Sequence, residues 1–233
     1  MEREFSVNFG AYNTWDDWHL IPADRPVILP PTEKTHDIDI PGGNGILDAS
    51  TALTGYPLFN NREGSWDFYI ENGYDSFVAV YRQVMHVLQG KKLKISLEED
   101  KDHFYDGKCW VTNQKQSEGH SMLTLNYSVY PYKHRFNDVG KVSNYKIETT
   151  RTVVDMDVDS FTDEPVCPKF IVDPATYGDS MTVKFQTSSI TYTTELKKGT
   201  WMDPMIMYIP GEHAVLTVTG TGTFGIQAAG GWL

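Results

Sequence analysis

Apolar residues recur at every second position in several separate runs of this chain, and one stretch alone keeps a helical period instead. Phe5, Val7 and Phe9 alternate with polar neighbours, as do Trp66, Phe68 and Ile70, then Leu93, Ile95 and Leu97, then Leu123, Leu125, Tyr127 and Val129. A period of two puts one set of side chains on one face of a strand, so these runs predict half-buried β-sheet. The exception is Phe77, Val80, Tyr81, Val84 and Leu88, which fall on one face of an amphipathic helix. Asp75 or Ser76 can cap its start, and Gly90 followed by Lys91 and Lys92 suits its end. The fold class expected is mainly β: a β-rich α+β domain with one helix, then a β-sandwich.

The stretch Ile38 to Asp48, IDIPGGNGILD, is the sharpest local signal. Ile38 and Ile40 alternate with Asp37 and Asp39, the pattern of a strand with one buried face. Pro41 ends the ladder, and Gly42, Gly43 and Gly45 supply positive-φ positions for a tight reversal, a structural turn motif. A phosphate-cradling loop would need a helix start or a Lys-Ser/Thr pair after the glycines, and Ile46-Leu47-Asp48 offers neither. Before this corner, Ala11 to Thr35 holds Trp15, Trp18 and prolines at 22, 26, 30 and 31, which favours an extended segment wrapped over its own core or over a neighbouring subunit. Its own core is the favoured cover; Trp15, Trp18 and Pro26 become candidate residues of an inter-subunit arm only through the ring assembly that the family resemblance described below implies.

Tyr105-Asp106-Gly107 reads as a turn, and Pro131 ends the run to Val129 because proline cannot donate to a ladder. This places a boundary near residue 133, with domains 1–133 and 134–233. Beyond it, candidate strands are Lys146 to Val154, Lys169 to Val172, Met181 to Gln186, Ile190 to Leu196, Met205 to Ile209, Ala214 to Val218 and Thr223 to Ala228. Short strands with frequent turn signals suggest the sandwich.

Composition removes several function classes. Net charge is −11 over 233 residues, which speaks against a basic groove for nucleic acid or an anionic membrane. The N-terminus shows no apolar signal core and no run approaches a membrane span, so a soluble protein made in a cytosol is expected. Cys109 and Cys167 stand in no zinc spacing; buried free thiols are the preferred reading, with a single disulfide as the alternative.

Chemistry-bearing motifs are missing. Asp155, Asp157, Asp159 and Asp163 open like a calcium loop, but Ser160 and Val166 stand where that loop needs Gly and Glu, so they read as the wet face of a strand. The histidines at 19, 36, 86, 103, 120, 134 and 213 show no HxH or HExxH spacing, and there is no GxSxG, Walker A or GxGxxG. No catalytic residue, cofactor or metal site is expected.

Taken in order, these features resemble the distal tail protein family of long-tailed, non-contractile bacteriophages. The resemblance rests on Pro30-Pro31, the corner from Ile40 to Asp48, Asn61-Arg62 before Trp66, and the helix ending at Gly90-Lys91-Lys92. It continues through Tyr105-Asp106-Gly107-Lys108, Pro131-Tyr132-Lys133 and Ile209-Pro210-Gly211-Glu212. It implies a ring-forming N-terminal domain and a galectin-like C-terminal sandwich. It also implies a structural, non-enzymatic homo-hexamer at the virion tail tip, assembled in the host bacterial cytoplasm. Its partners would be the tail tube protein, a tail tip or hub protein and receptor-binding proteins, with DNA passing through the ring unbound and no membrane involved. The alternative is a carbohydrate- or receptor-binding virion protein whose sandwich grips sugars through Trp201, Tyr208 or Trp232; a glycoside hydrolase, supported only by abundant acids, is a weaker third reading.

Overall fold

The computed structural model describes residues 5–70, 74–117, 120–156, 162–176 and 179–233. The chain is mainly β and divides into two compact units, the first reaching Phe136 and the second spanning Asn137–Trp232.

In the first unit the elements run β1 (Val7–Phe9), β2 (Tyr12–Asn13), β3 (Leu20–Pro22), β4 (Asp37–Asp39), β5 (Ile46–Asp48), β6 (Arg62–Ile70), α1 (Tyr74–Leu88), β7 (Lys92–Leu97), β8 (His103–Ser117), β9 (His120–Val129) and β10 (His134–Arg135). One antiparallel sheet has the order β2-β1-β7-β8-β9-β6-β3, with β10 added to β8. Its alternation is the one the sequence announces: Trp66, Phe68 and Ile70 on β6 and Leu123, Leu125, Tyr127 and Val129 on β9 are buried. Phe77, Val84 and Leu88 of α1 join them in one core, so packing of this stripe, more than intrinsic propensity, holds the helix. Gly90, at φ 73°, closes α1 in the left-handed conformation, and the Lys91 amide returns to the Leu88 carbonyl at 3.2 Å. The helix already includes Tyr74, so Asp75 and Ser76 lie inside its first turn instead of capping it.

Two sequence expectations change here. Tyr105, Asp106 and Gly107 are not a turn but the interior of β8, paired with Ile95, Lys94 and Leu93 of β7. Gly107 serves close approach: a Cβ built on it would lie 2.6 Å from Val129 Cα on β9. The strand at Ile38 has no buried face within its unit; every residue of β4 and β5 is exposed, and the two pair only with each other.

The second unit contains β11 (Ser143–Ile147), β12 (Thr150–Met156), β13 (Lys169–Pro174), β14 (Ser180–Thr187), β15 (Thr191–Lys197), β16 (Gly199–Met202), β17 (Ala214–Thr219) and β18 (Gly222–Gln227). Two antiparallel sheets, β11-β18-β13-β16 and β12-β17-β14-β15, put their inner faces into a single core. Phe170, Val172, Phe224 and Ile226 come from one sheet, and Met181, Val183, Phe185, Leu216 and Val218 from the other. Lys146 to Val154, expected as one strand, is two strands in different sheets, because the chain changes sheet between Ile147 and Thr150. Met205 to Ile209 is not a strand; Tyr208 there makes a single bridge to Val166. β16 is not among the strands the sequence pattern suggests. Of the aspartate series, Asp157 and Asp159 lie outside the described residues. Cys109 is buried, Cys167 is half-buried, and both are free thiols.

Candidate functional site

From Val27 to Asn61 the chain contains no buried residue, although it carries Val27, Leu29, Ile38, Ile40, Ile46, Leu47, Leu53 and Leu58. This segment is a two-stranded arm. At its root, the Asn60 amide donates to Thr32 O at 2.8 Å and the Lys34 amide to Leu58 O at 2.7 Å. Further out, the Ala49 amide reaches His36 O at 2.8 Å, and β4 pairs with β5 as Asp37 with Asp48, Ile38 with Leu47 and Asp39 with Ile46.

The predicted turn residues form its tip. The Gly43 amide donates to Ile40 O at 3.0 Å, and Pro41 followed by Gly42 at φ 76° is the pair a type II turn calls for. Gly45, at φ 84°, takes the chain into β5. At Gly43 the constraint is space, since a Cβ would meet Ile40 Cγ2 at 2.7 Å.

Register sorts the arm into two faces. Ile38, Ile40 and Leu47 share one, while Asp37, Asp39 and Asp48 share the other with Ile46. Hydrogen bonds from Ser50 hold the Asp48 carboxyl below its usual range. A lone hairpin is marginal in water, so an apolar face 44% exposed at Ile38 and 54% at Leu47 calls for a covering surface.

The segment expected to wrap over its own core or a neighbouring subunit lies, at Trp18 and Pro26, against its own unit. Trp18 is 2% exposed against Phe9 and Tyr12 in the core of its own unit, and Pro26 is buried. Trp15 is half-buried, edge-on to His19. Beyond Pro26 the chain is strapped to the sheet: Trp66 Nε1 donates to Val27 O at 2.8 Å, and the Leu29 amide to Tyr127 Oη at 3.0 Å. Burial raises the pKa of that phenol, with the Leu29 amide and the nearby Arg62 opposing the shift. Arg62 lies beneath the strap, 6% exposed. Its Nε donates to Pro131 O at 2.6 Å, its Nη1 reaches Leu29 O at 3.4 Å, and its Nη2 is buried without a hydrogen-bond partner. Burial lowers its pKa, opposed by Tyr105 and Tyr127. The sequence pattern placed Tyr127 on a strand and Arg62 before one without giving either a site role, and Gly64, alone in the middle of a strand pattern, carried an unused signal of close approach. A Cβ on Gly64 would collide with the Tyr127 hydroxyl.

In the second unit, Tyr208 is 4% exposed and packs edge-on to Phe185, which removes it from any sugar platform, while Trp201 is 42% exposed on β16. A groove of about 910 Å³ is lined by Tyr145, Lys146, Glu148, Asp173 and Lys198, whose charges form the pairs Lys146–Glu148 at 2.9 Å and Lys198–Asp173 at 2.8 Å. Among the described residues no three His, Cys, Asp or Glu side chains stand close enough to hold a metal ion, and no helix is long and apolar enough to cross a membrane.

No family model matches the chain, and no curated protein matches it in sequence. A solved structure does match in fold: the SPP1 Dit (gp 19.1) protein, a paradigm of the hub adsorption apparatus in phages infecting Gram-positive bacteria. The match has a TM-score of 0.67 at 12% identity and covers 98% of this chain and 99% of that one.

Proposed function

We propose that this chain is a structural hub protein of a bacteriophage tail, without catalytic activity. The observation that carries the reading is the likeness of fold to a phage hub protein over 98% of the chain. In its finer form, six copies close into a ring that joins the tail tube to the tail tip, and DNA passes through without specific binding. The first unit forms the ring, and the second is a galectin-like sandwich available to tip or receptor-binding proteins.

The arm supports self-assembly. Its apolar face needs a cover, and a second copy that lays its own arm on the next gives the head-to-tail contact by which cyclic rings close. The acidic balance, −11 per copy, suits a conduit for DNA, because a lumen of like sign resists adhesion. The test is the mass of the purified protein by light scattering, with negative-stain images of the same fraction. A sixfold multiple of 26.4 kDa with a central hole is expected; a monomer at every concentration and in the presence of tail tube protein would overturn it.

A further inference from the structure

The arm and the chain leaving the first unit meet at one side chain. Leu29, whose carbonyl Arg62 Nη1 reaches, opens the lead-in to the arm, while Pro131, whose carbonyl Arg62 Nε holds, begins the exit through Tyr132 to Phe136. The guanidinium also lies over the Tyr105 ring, Cζ 5.2 Å from its centroid. A line of ring contacts runs beside this clamp. Phe59, on the return strand of the arm, meets Tyr132 edge-on at 6.0 Å; Tyr132 meets Tyr130 at 5.8 Å; Tyr130 stacks on His134 at 6.0 Å. His134 meets Phe104 at 5.9 Å, and Phe104 meets Phe136 at 4.6 Å.

We infer that Arg62 is a positioning residue that couples the root of the arm to the exit segment Tyr130–Phe136, so that the two are held or released together. The inference rests on the arm being the assembly element only for its use, not for its existence. Three observations carry it. The two carbonyls lie about a hundred residues apart in sequence and are bridged by one planar cation, whose fixed fork ties their positions to each other. The cation has no carboxylate among its hydrogen-bond partners, so its bonds go to backbone alone. Its buried Nη2 has no partner, so the clamp is incompletely satisfied. A buried charge of this kind is a poor stabiliser and is better explained by what it orients.

The coupling separates from the neighbouring strap. Tyr127 holds Leu29 through its hydroxyl and has no bond to Pro131, so Gly64→Ala, which displaces that hydroxyl, disturbs the lead-in alone.

The test is amide hydrogen exchange on the full chain for wild type, Arg62→Met and Gly64→Ala, read at Leu29 and at Tyr130, whose amide bonds Asp106 O at 2.8 Å. Arg62→Met is expected to speed exchange at both amides by about tenfold, the factor that goes with one ordinary hydrogen bond, at little change in thermal midpoint. Gly64→Ala is expected to speed exchange at Leu29 only. If Arg62→Met fails to fold, Arg62→Lys, which lacks the fork, is expected to give the same joint increase. A change at one amide alone in the Arg62 variant, or at neither, overturns the coupling. The readout does not depend on ring formation, so a chain that never assembles would sink the hub reading and leave this inference standing or falling on exchange.

Discussion

At the scale of single residues, Gly107 illustrates a signal with two meanings. Asp-Gly announces a turn when the chain reverses and a close approach when a neighbouring strand crowds the position. Only the partner, Val129, decides between them, and it lies 22 positions away in sequence. Gly107→Ala puts a methyl against the Val129 backbone, so a loss of about 1–3 kcal/mol is expected by urea denaturation, with an unchanged slope. Cys109 lies two positions further along the same strand. Burial pushes its thiol from 9.0 up to about 12, with the Trp110 amide opposing. Because the folded value is the higher one, its contribution is full below pH 9.0 and is lost progressively up to about pH 12. Wild type is expected to lose up to about 1.4 kcal/mol more per pH unit in that window than Cys109→Ala, read as the difference between their denaturation curves. The buried arginine was illegible for a related reason: nothing local in Asn61-Arg62-Glu63 says that two distant carbonyls will close over it.

At the scale of elements, the arm is the informative failure. Alternation of Ile38 and Ile40 with aspartates looks the same whether the apolar face is covered by its own core or by another molecule. The period was therefore readable and the cover was not. The tip, by contrast, was legible in Pro41, Gly42 and Gly45, since a turn is decided within four residues. Replacing Ile38 and Leu47 by Ser removes the apolar face without touching the core. The expected outcome is a thermal midpoint within about 2 °C of wild type, as for exposed sites, together with loss, by light scattering, of the ring proposed above. Strands β6, β7 and β9 were legible because one face of each is buried in its own unit. The corner between β11 and β12 was not, because β-branched residues run through it and conceal the change of sheet.

At the scale of the whole molecule, the two hydrophobic cores have no residue in common. Each unit is therefore expected to open as its own cooperative block. Phe185→Ala, which empties a position 1% exposed between the sheets of the second unit, is expected to cost about 3–5 kcal/mol there. Exchange should rise at Val183 and Leu216 while Leu125 and Tyr127 keep their wild-type rates; a rise in both sets would mean one block. The mainly β plan was readable from pattern and composition, whereas what the surface meets was not, because sequence period reports burial without saying what provides it. The aspartates of the arm bear on how free copies of the chain meet one another. A projecting ribbon offers two open edges to any other strand, and a pool of waiting copies could stack edge to edge into fibres. Asp37 directly opposite Asp48 costs the ribbon some internal stability. The same row of charge makes ribbon-on-ribbon stacking mutually repulsive, so an exposed ribbon does not by itself lead copies of the chain to precipitate.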